Sequence, residues 1–195
     1  MKTIPITVLY VTLGVFGLSG FYAQILLAWS NGPLAYRTGA PGDKGTCKES
    51  GCHNAYDLNS GSAVFSIKGP GVYTPGKTVK LKVSFKKSPG SLRGFEMTAL
   101  DADGNNIGKF KNIGNTTQVI APNDYRGLDA EDKGKYIEHT VVGNTKKNWQ
   151  VKWVAPSSAT GTVTFYAAGN DANGDGSPGG DYIYTTTMQL SDAGK

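Results

Sequence analysis

Cys47-Lys48-Glu49-Ser50-Gly51-Cys52-His53 is the stretch of this chain best equipped for chemistry. It holds the only two cysteines and one of only two histidines. Two thiols followed at once by an imidazole are the parts of a c-type haem attachment site. The thiols add across the haem vinyl groups and the histidine becomes the proximal iron ligand. Four residues separate these cysteines, where the usual site has two. A CX4C pair also closes readily into a local disulfide, which would leave His53 exposed. Structural zinc is a third reading. It needs four ligands from one tight loop and a distant histidine, which is an unusual set.

His139 is the other histidine, in Tyr136-Ile137-Glu138-His139-Thr140. A haem used for electron transfer takes a second axial ligand, and His or Met can supply it. His139 is the first candidate. Met97 is the alternative, with Met188 behind it, although a methionine among apolar strand residues is usually core filling. Asp171, Asn173 and Asp175, followed by Gly176, place oxygens at the first, third and fifth positions of a calcium loop, with Asp181 near its end. The twelfth position is Tyr182 and no helices flank the loop, so a solvated turn is the competing reading. No nucleophile and base stand in a recognisable constellation, and neither a Gly-x-Ser-x-Gly turn nor a phosphate loop is present. The chain reads as an electron-transfer protein, not an enzyme.

The elements that would position these residues are strands. Residues 77–86 alternate, with Val79, Leu81, Val83 and Phe85 on one face, the pattern of a half-buried antiparallel strand. Residues 61–68, 93–101, 107–111, 136–142, 149–154, 161–169 and 182–190 also read as strands. Turn signals fall between them about every ten residues, at Gly69-Pro70-Gly71, Tyr73-Thr74-Pro75-Gly76 and Asp103-Gly104-Asn105-Asn106. Residues 118–135 read as irregular. No helix-period stretch follows residue 30. The expected fold is an all-β antiparallel sandwich over residues 61–195, preceded by a Gly/Pro-rich haem-carrying segment over 30–60.

Ahead of these, residues 4–29 carry no charge and follow Lys2. That describes a signal peptide, cut between Ala28 and Tyr36, or an N-terminal membrane anchor helix left uncleaved. Either places the rest of the chain in the periplasm, outside the cell or on its surface, where free cysteines pair unless something claims them. The net charge is +5. The basic residues are scattered, and Lys80, Lys82, Lys86 and Lys87 fall on or beside a strand at exposed positions. This argues against nucleic-acid binding and leaves only a weak preference for acidic partners.

Three blocks resemble the Reeler (reelin-like) domain, a β-sandwich of secreted and surface proteins. The first is Tyr73-Thr74-Pro75-Gly76 with the strand after it. The second is Gly94-Phe95-Glu96-Met97-Thr98-Ala99-Leu100, running on to Ile107-Gly108-Lys109-Phe110. The third is Glu138-His139-Thr140, with Val151-Lys152-Trp153-Val154-Ala155-Pro156 and residues 161–170. A bacterial branch carries Thr-Gly-Ala-Pro-Gly ahead of a Cys-x-x-Cys-His segment. Thr38-Gly39-Ala40-Pro41-Gly42 stands here in that place, and Gly180-Asp181-Tyr182-Ile183-Tyr184 is similar to that branch as well. The resemblance implies one covalent haem c on Cys47 and Cys52, with His53 proximal. It does not fix the role of His139, since relatives without a cysteine pair also show a His-Thr there. The function expected is one-electron transfer outside the cytoplasm. Partners would be other cytochromes or redox proteins, or further copies of the chain, because one haem conducts no distance alone. The rival is a non-redox adhesion module with a Cys47–Cys52 disulfide.

Overall fold

The computed structural model describes residues 30–194; the leader or anchor expected over residues 1–29 lies outside them. Ten strands form two sheets: β1 (Val64–Lys68), β2 (Val72–Tyr73), β3 (Thr78–Lys86), β4 (Leu92–Leu100), β5 (Lys109–Lys111), β6 (Thr117–Val119), β7 (Tyr136–His139), β8 (Asn148–Val154), β9 (Val163–Ala172) and β10 (Tyr182–Asp192). No α-helix occurs among the described residues, and a single 3-10 turn spans Ala130–Asp132. The fold is the all-β sandwich that the alternation predicts. One sheet runs β1-β3-β8-β5, and the other runs β2-β10-β9-β4-β7-β6. All pairings are antiparallel except β2 with β10.

Between the sheets lies one core of large side chains. β3 contributes Val79, Leu81, Val83 and Phe85, and β8 contributes Trp149, Val151 and Trp153. Phe95, Met97 and Ala99 of β4 and Val163, Phe165 and Ala167 of β9 meet them from the second sheet. The aromatic rings meet edge to face or offset, as ring quadrupoles favour. Trp153 and Phe165 lie 5.1 Å apart at 80°, and Phe95 and Trp149 4.9 Å apart at 46°. Each buried tryptophan finds an acceptor for its ring N–H, Trp149 on the Gly143 carbonyl and Trp153 on that of Ile107.

The two sheets differ on their outer faces. β3 reads exposed and buried in turn over most of its length, whereas β4 is buried at every residue after the first. Residues 30–60 are the cause. They pass over the outer face of the six-stranded sheet as a third layer, tied by Ala35 N–H to the Arg126 carbonyl and by Asn59 N–H to that of Ile183.

Two short strands fall where turns or irregular chain were expected. β2 lies between the 69–71 and 73–76 turn signals, sharing Tyr73 with the second, and β6 lies at the edge of the irregular stretch. β7 ends at His139, short of residue 142, because Thr140 starts a turn closed by Gly143 N–H on its carbonyl.

Gly169 shows how tight the core is. The Phe65 and Phe85 rings stack at 4.5 Å, and a Cβ at position 169 would come within 2.8 Å of both. Overpacking of this kind costs about 1–3 kcal/mol. Gly169→Ala is expected to lower the urea midpoint without changing the m-value, and an unchanged midpoint would refute this packing account.

Candidate functional site

Where β4, β9 and β10 meet the cysteine turn, the outer face of the six-stranded sheet carries the small residues Gly94 and Ala168. Gly94 on β4, Asn170 on β9 and Ile183 on β10 stand in one row across three neighbouring strands. Strands in a sheet lie ~4.8 Å apart, so this row is a short, flat floor. The His139 ring lies directly over Gly94, where a Cβ would come within 2.4 Å of it. The Asn170 amide nitrogen sits 3.3 and 3.4 Å from the two ring nitrogens of His53. Cys47 packs against Ile183 and Ala168. The CX4CH segment and the distant second histidine therefore meet on adjacent positions of one floor.

The four-residue spacer is accommodated by a compact turn. Cys52 N–H bonds the Glu49 carbonyl at 2.8 Å, and His53 N–H bonds that of Cys47 at 3.1 Å. Gly51 supplies the left-handed backbone, at φ +82°, that the turn requires. Cys47, Cys52, His53, His139, Arg37 and Phe95 line a single cleft. It holds about 790 Å³ of atom-free space, counting the solvent at its mouth.

Each potential ligand has a distinct electrostatic setting. His53 Nδ1 lies 2.7 Å from Asp181 Oδ2, and Asp181 is 2% exposed. A carboxylate on Nδ1 fixes that nitrogen as the N–H and leaves Nε2 with the lone pair, the usual support for a metal-binding imidazole. Asp181 is held in turn by the Asn173 N–H on Oδ1 and the Asn170 amide on Oδ2. His139 Nδ1 lies 3.1 Å from the Phe95 N–H and 3.3 Å from the Phe95 carbonyl oxygen. Burial pushes the His139 pKa down to about 4, so its imidazole is neutral at pH 7. Both cysteines are free thiols here, Cys47 buried and Cys52 half-buried. Burial pushes the Cys47 thiol up to about 12, with Glu96 and Cys52 adding to the effect, so it stays protonated at neutral pH.

Beneath the segment that carries the cysteines are two carboxyl groups that sequence reasoning missed. Glu96 and Glu138 stand directly opposite each other on β4 and β7, both fully buried. Glu96 accepts the Tyr36 N–H at 3.0 Å on one oxygen and the Arg37 N–H at 2.9 Å on the other. Glu138 accepts from Gln118 Nε2 at 2.7 Å and lies 2.6 Å from Arg126 Nε. Arg126 also donates to the Asn31 carbonyl. Burial raises Glu96 well above the usual carboxyl range, and the charges of Glu138 and Asp43 raise it further. Burial pushes Glu138 up to about 8, with the Arg126 guanidinium pulling the other way. The one signal available in sequence was an acid set between core residues, Phe95-Glu96-Met97 and Ile137-Glu138-His139.

The remaining candidates lie elsewhere. Met97 faces the core from the opposite side of β4, and Met188 packs against the same core near Gly69. The calcium set does not converge. Asp171 is taken by the Ser88 hydroxyl, the Gly90 N–H and Arg93, Asn173 and Asp175 bond each other, and Asp181 serves His53. Among the described residues no group of three or more His, Cys, Asp or Glu is arranged to hold a metal ion.

The family model described as the Reeler domain matches residues 45–169. Its match spans the cysteine turn, β4 and His139 and ends within β9, before Asn170, Asp181 and Ile183. No curated protein matches the chain.

A pH dependence follows from the buried groups. Glu138, raised in the folded chain, contributes stability that is full below its ordinary value near 4.5 and is lost as pH rises through about 8. Glu96 acts in the same direction. His139, lowered in the folded chain, contributes stability that is full above about 6.5 and is lost as pH falls through about 4. Between pH 6.5 and 8 the carboxyl effect outweighs the residual change from His139, so the melting temperature of the chain is expected to fall across that window. Glu138→Gln should flatten the slope, and a melting temperature that rises from pH 6.5 to 8 would contradict the assignment.

Proposed function

We propose that this chain, which belongs to the Reeler domain family, is an exported electron carrier with one covalent haem c in the cleft over β4, β9 and β10. The observation that carries the reading is convergence. Cys47, Cys52 and His53 come from one loop, His139 comes from the end of β7, and all four line one cleft.

The donor set fits the group. Cys47 and Cys52 are free thiols, available for two thioether bonds. Asp181 holds His53 Nδ1, and Nε2, which the Asn170 amide approaches at 3.4 Å, would supply the proximal position once that contact is released. His139, neutral and over Gly94, is the distal ligand; Met97 is turned into the core and does not compete. Arg37 lines the same cleft, and its Nε is buried without a partner, which suits a propionate carboxylate. When bound, the haem supplies an iron centre that gains and loses one electron.

The chain's own residues set the terms of that exchange. His53 and His139 would both hold the iron, which would leave no open site for a substrate and favours a carrier over an oxidase or peroxidase. Two histidines hold the potential lower than a His/Met pair would. The Asp181 carboxylate makes His53 a stronger donor and lowers it further. Donors and acceptors would be other cytochromes or redox proteins outside the cytoplasm, or neighbouring copies. Calcium is left out of the proposal, because its oxygens are committed to other partners.

The test is a visible spectrum of the full chain, exported from a host able to attach haem to cysteine pairs. Oxidised and reduced spectra with a pyridine haemochrome should show haem held by two thioether bonds, lost in Cys47→Ala/Cys52→Ala. His139→Ala should convert a low-spin spectrum to high spin, and Asp181→Asn should raise the potential. A colourless wild-type protein with folded β-structure would overturn the proposal.

A further inference from the structure

Turns are ordinarily built from Gly, Pro, Asn, Asp and Ser. The turn after β7 is built otherwise. Its two central residues are Val141 and Val142, between Thr140 and Gly143, and they are 53% and 48% exposed. The backbone of this turn is pinned from beneath. Thr140 donates its N–H to the Thr116 carbonyl and its hydroxyl to the Asn115 carbonyl. The Gly143 carbonyl accepts the Trp149 ring N–H, and a Cβ at position 143 would collide with the Thr116 carbonyl. The fold therefore presents two apolar side chains to water on a fixed support, against the ordinary preference for burying them.

The uncharged run over residues 4–29 joins the described chain at this same place. Asn31 lies between the valine turn and the loop that carries Tyr125. Its side-chain oxygen accepts the Val141 N–H at 3.1 Å, and its carbonyl accepts from the Arg126 guanidinium at 2.7 Å. Tyr125, next to Arg126, is 53% exposed, with the guanidinium over its ring at 4.4 Å. Lys146 and Lys147 follow the valines and are exposed. Asp124, the acid beside Tyr125, is paired with Arg126 at 2.7 Å.

We propose that Val141, Val142 and Tyr125 form a docking patch that seats this end of the sandwich on an anionic phospholipid bilayer. The valines would enter the boundary between headgroups and acyl chains, as apolar side chains of interfacial segments do. Tyr125 would lie at the headgroup level, which suits a ring with a polar tip, and Lys146 and Lys147 would meet the lipid phosphates. Two observations choose a bilayer over a protein partner. The first is size. Three apolar side chains fall short of the ~800 Å² that each partner buries in a stable protein interface. The second is where the preceding chain arrives. Residues 4–29 are long enough to cross a hydrocarbon core of ~30 Å, and they end two residues before Asn31. A run entering lipid there would leave the side chains on both sides of Asn31 at the headgroups. The patch is independent of what the cleft holds. Ser30, His139 and Asn144 line one part of the cleft, however, so docking would set the cleft beside the membrane surface.

The test is hydrogen exchange of the full chain in vesicles of phosphatidylcholine and phosphatidylglycerol, read by mass spectrometry in the peptides that hold Tyr125 and residues 141–147. Val141→Asn/Val142→Asn removes the apolar tip. Val64→Asn/Val72→Asn makes the same change at two comparably exposed valines on β1 and β2 and serves as the control. Exchange in the two peptides is expected to be about tenfold slower in the wild type and the control than in the valine-turn variant. Val141→Leu/Val142→Leu should keep the slowing, and vesicles of phosphatidylcholine alone should weaken it. Equal exchange in the wild type and the valine-turn variant would overturn the proposal, as would slowing of the same size without phosphatidylglycerol. Slowing that grows with protein concentration in lipid-free buffer would give the patch to a second copy. Slowing that needs neither lipid nor concentration would give it to residues 1–29. Either result would overturn the proposal as well.

Discussion

The Glu96 carboxylate holds the site together. It is fully buried, and its two oxygens take the backbone N–H groups of Tyr36 and Arg37. A buried hydrogen bond contributes about 0.5–1.5 kcal/mol net, and a buried polar group left without its partner costs about 1–3 kcal/mol. The clamp therefore works in both directions. The segment needs the carboxyl to satisfy its N–H groups, and the carboxyl cannot stay buried without the segment. Glu138, directly across the strands, does the same work one step earlier in the chain through Arg126 and Asn31. Gly32 fits closely over Glu138, with a backbone at φ +102° that disfavours other residues. Release of these two acids would free residues 30–46 and, with them, the turn that carries the cysteines.

Size alternation along β4 and β9 explains why the cleft forms on this face. Their inward positions carry Phe95, Met97, Phe165 and Ala167 against the second sheet. Their outward positions carry Gly94, Ala168, Asn170 and Ala172. A bulky outward residue at 94 would displace the His139 ring, and one at 168 would displace Cys47. The same sheet thus packs a conventional core on one side and leaves a shallow floor on the other, and the N-terminal layer builds walls around that floor.

Much of this was legible in the sequence, for physical reasons that differ by element. The strand β3 alternates because one face meets water, and such a pattern reads directly. β4 gave a weaker signal because the third layer buries its outer face too, so Glu96 sits among apolar neighbours without alternation to mark it. Strands β2 and β6 are two and three residues long and are defined by their partners, not by composition. The cysteine turn and His139 were readable as chemistry because their residue types are rare in this chain. Asp181 was read as a calcium ligand because its neighbours in sequence are Asn, Asp and Gly. Its real partner, His53, is far away along the chain, and the two meet only where residues 30–60 lie over the start of β10.

His139 occupies a position where sheet and site make competing demands. The β4–β7 ladder ends at Glu96 and Glu138, and at the next residue of β4 the imidazole stands in for a backbone partner. Its Nδ1 is within reach of both the N–H and the carbonyl of Phe95, but a neutral ring can serve only one at a time. If Nδ1 accepts from the N–H, Nε2 carries the proton and has no lone pair for a metal. If Nδ1 carries the proton and donates to the carbonyl, Nε2 is free and the Phe95 N–H loses its acceptor. A ligand drawing on Nε2 would therefore select the second tautomer at the cost of one backbone hydrogen bond. That cost, about 1 kcal/mol for a neutral bond, is small beside a metal–imidazole bond. The haem-free chain and the loaded chain would then differ by a proton moved across one ring, with the strand left in place.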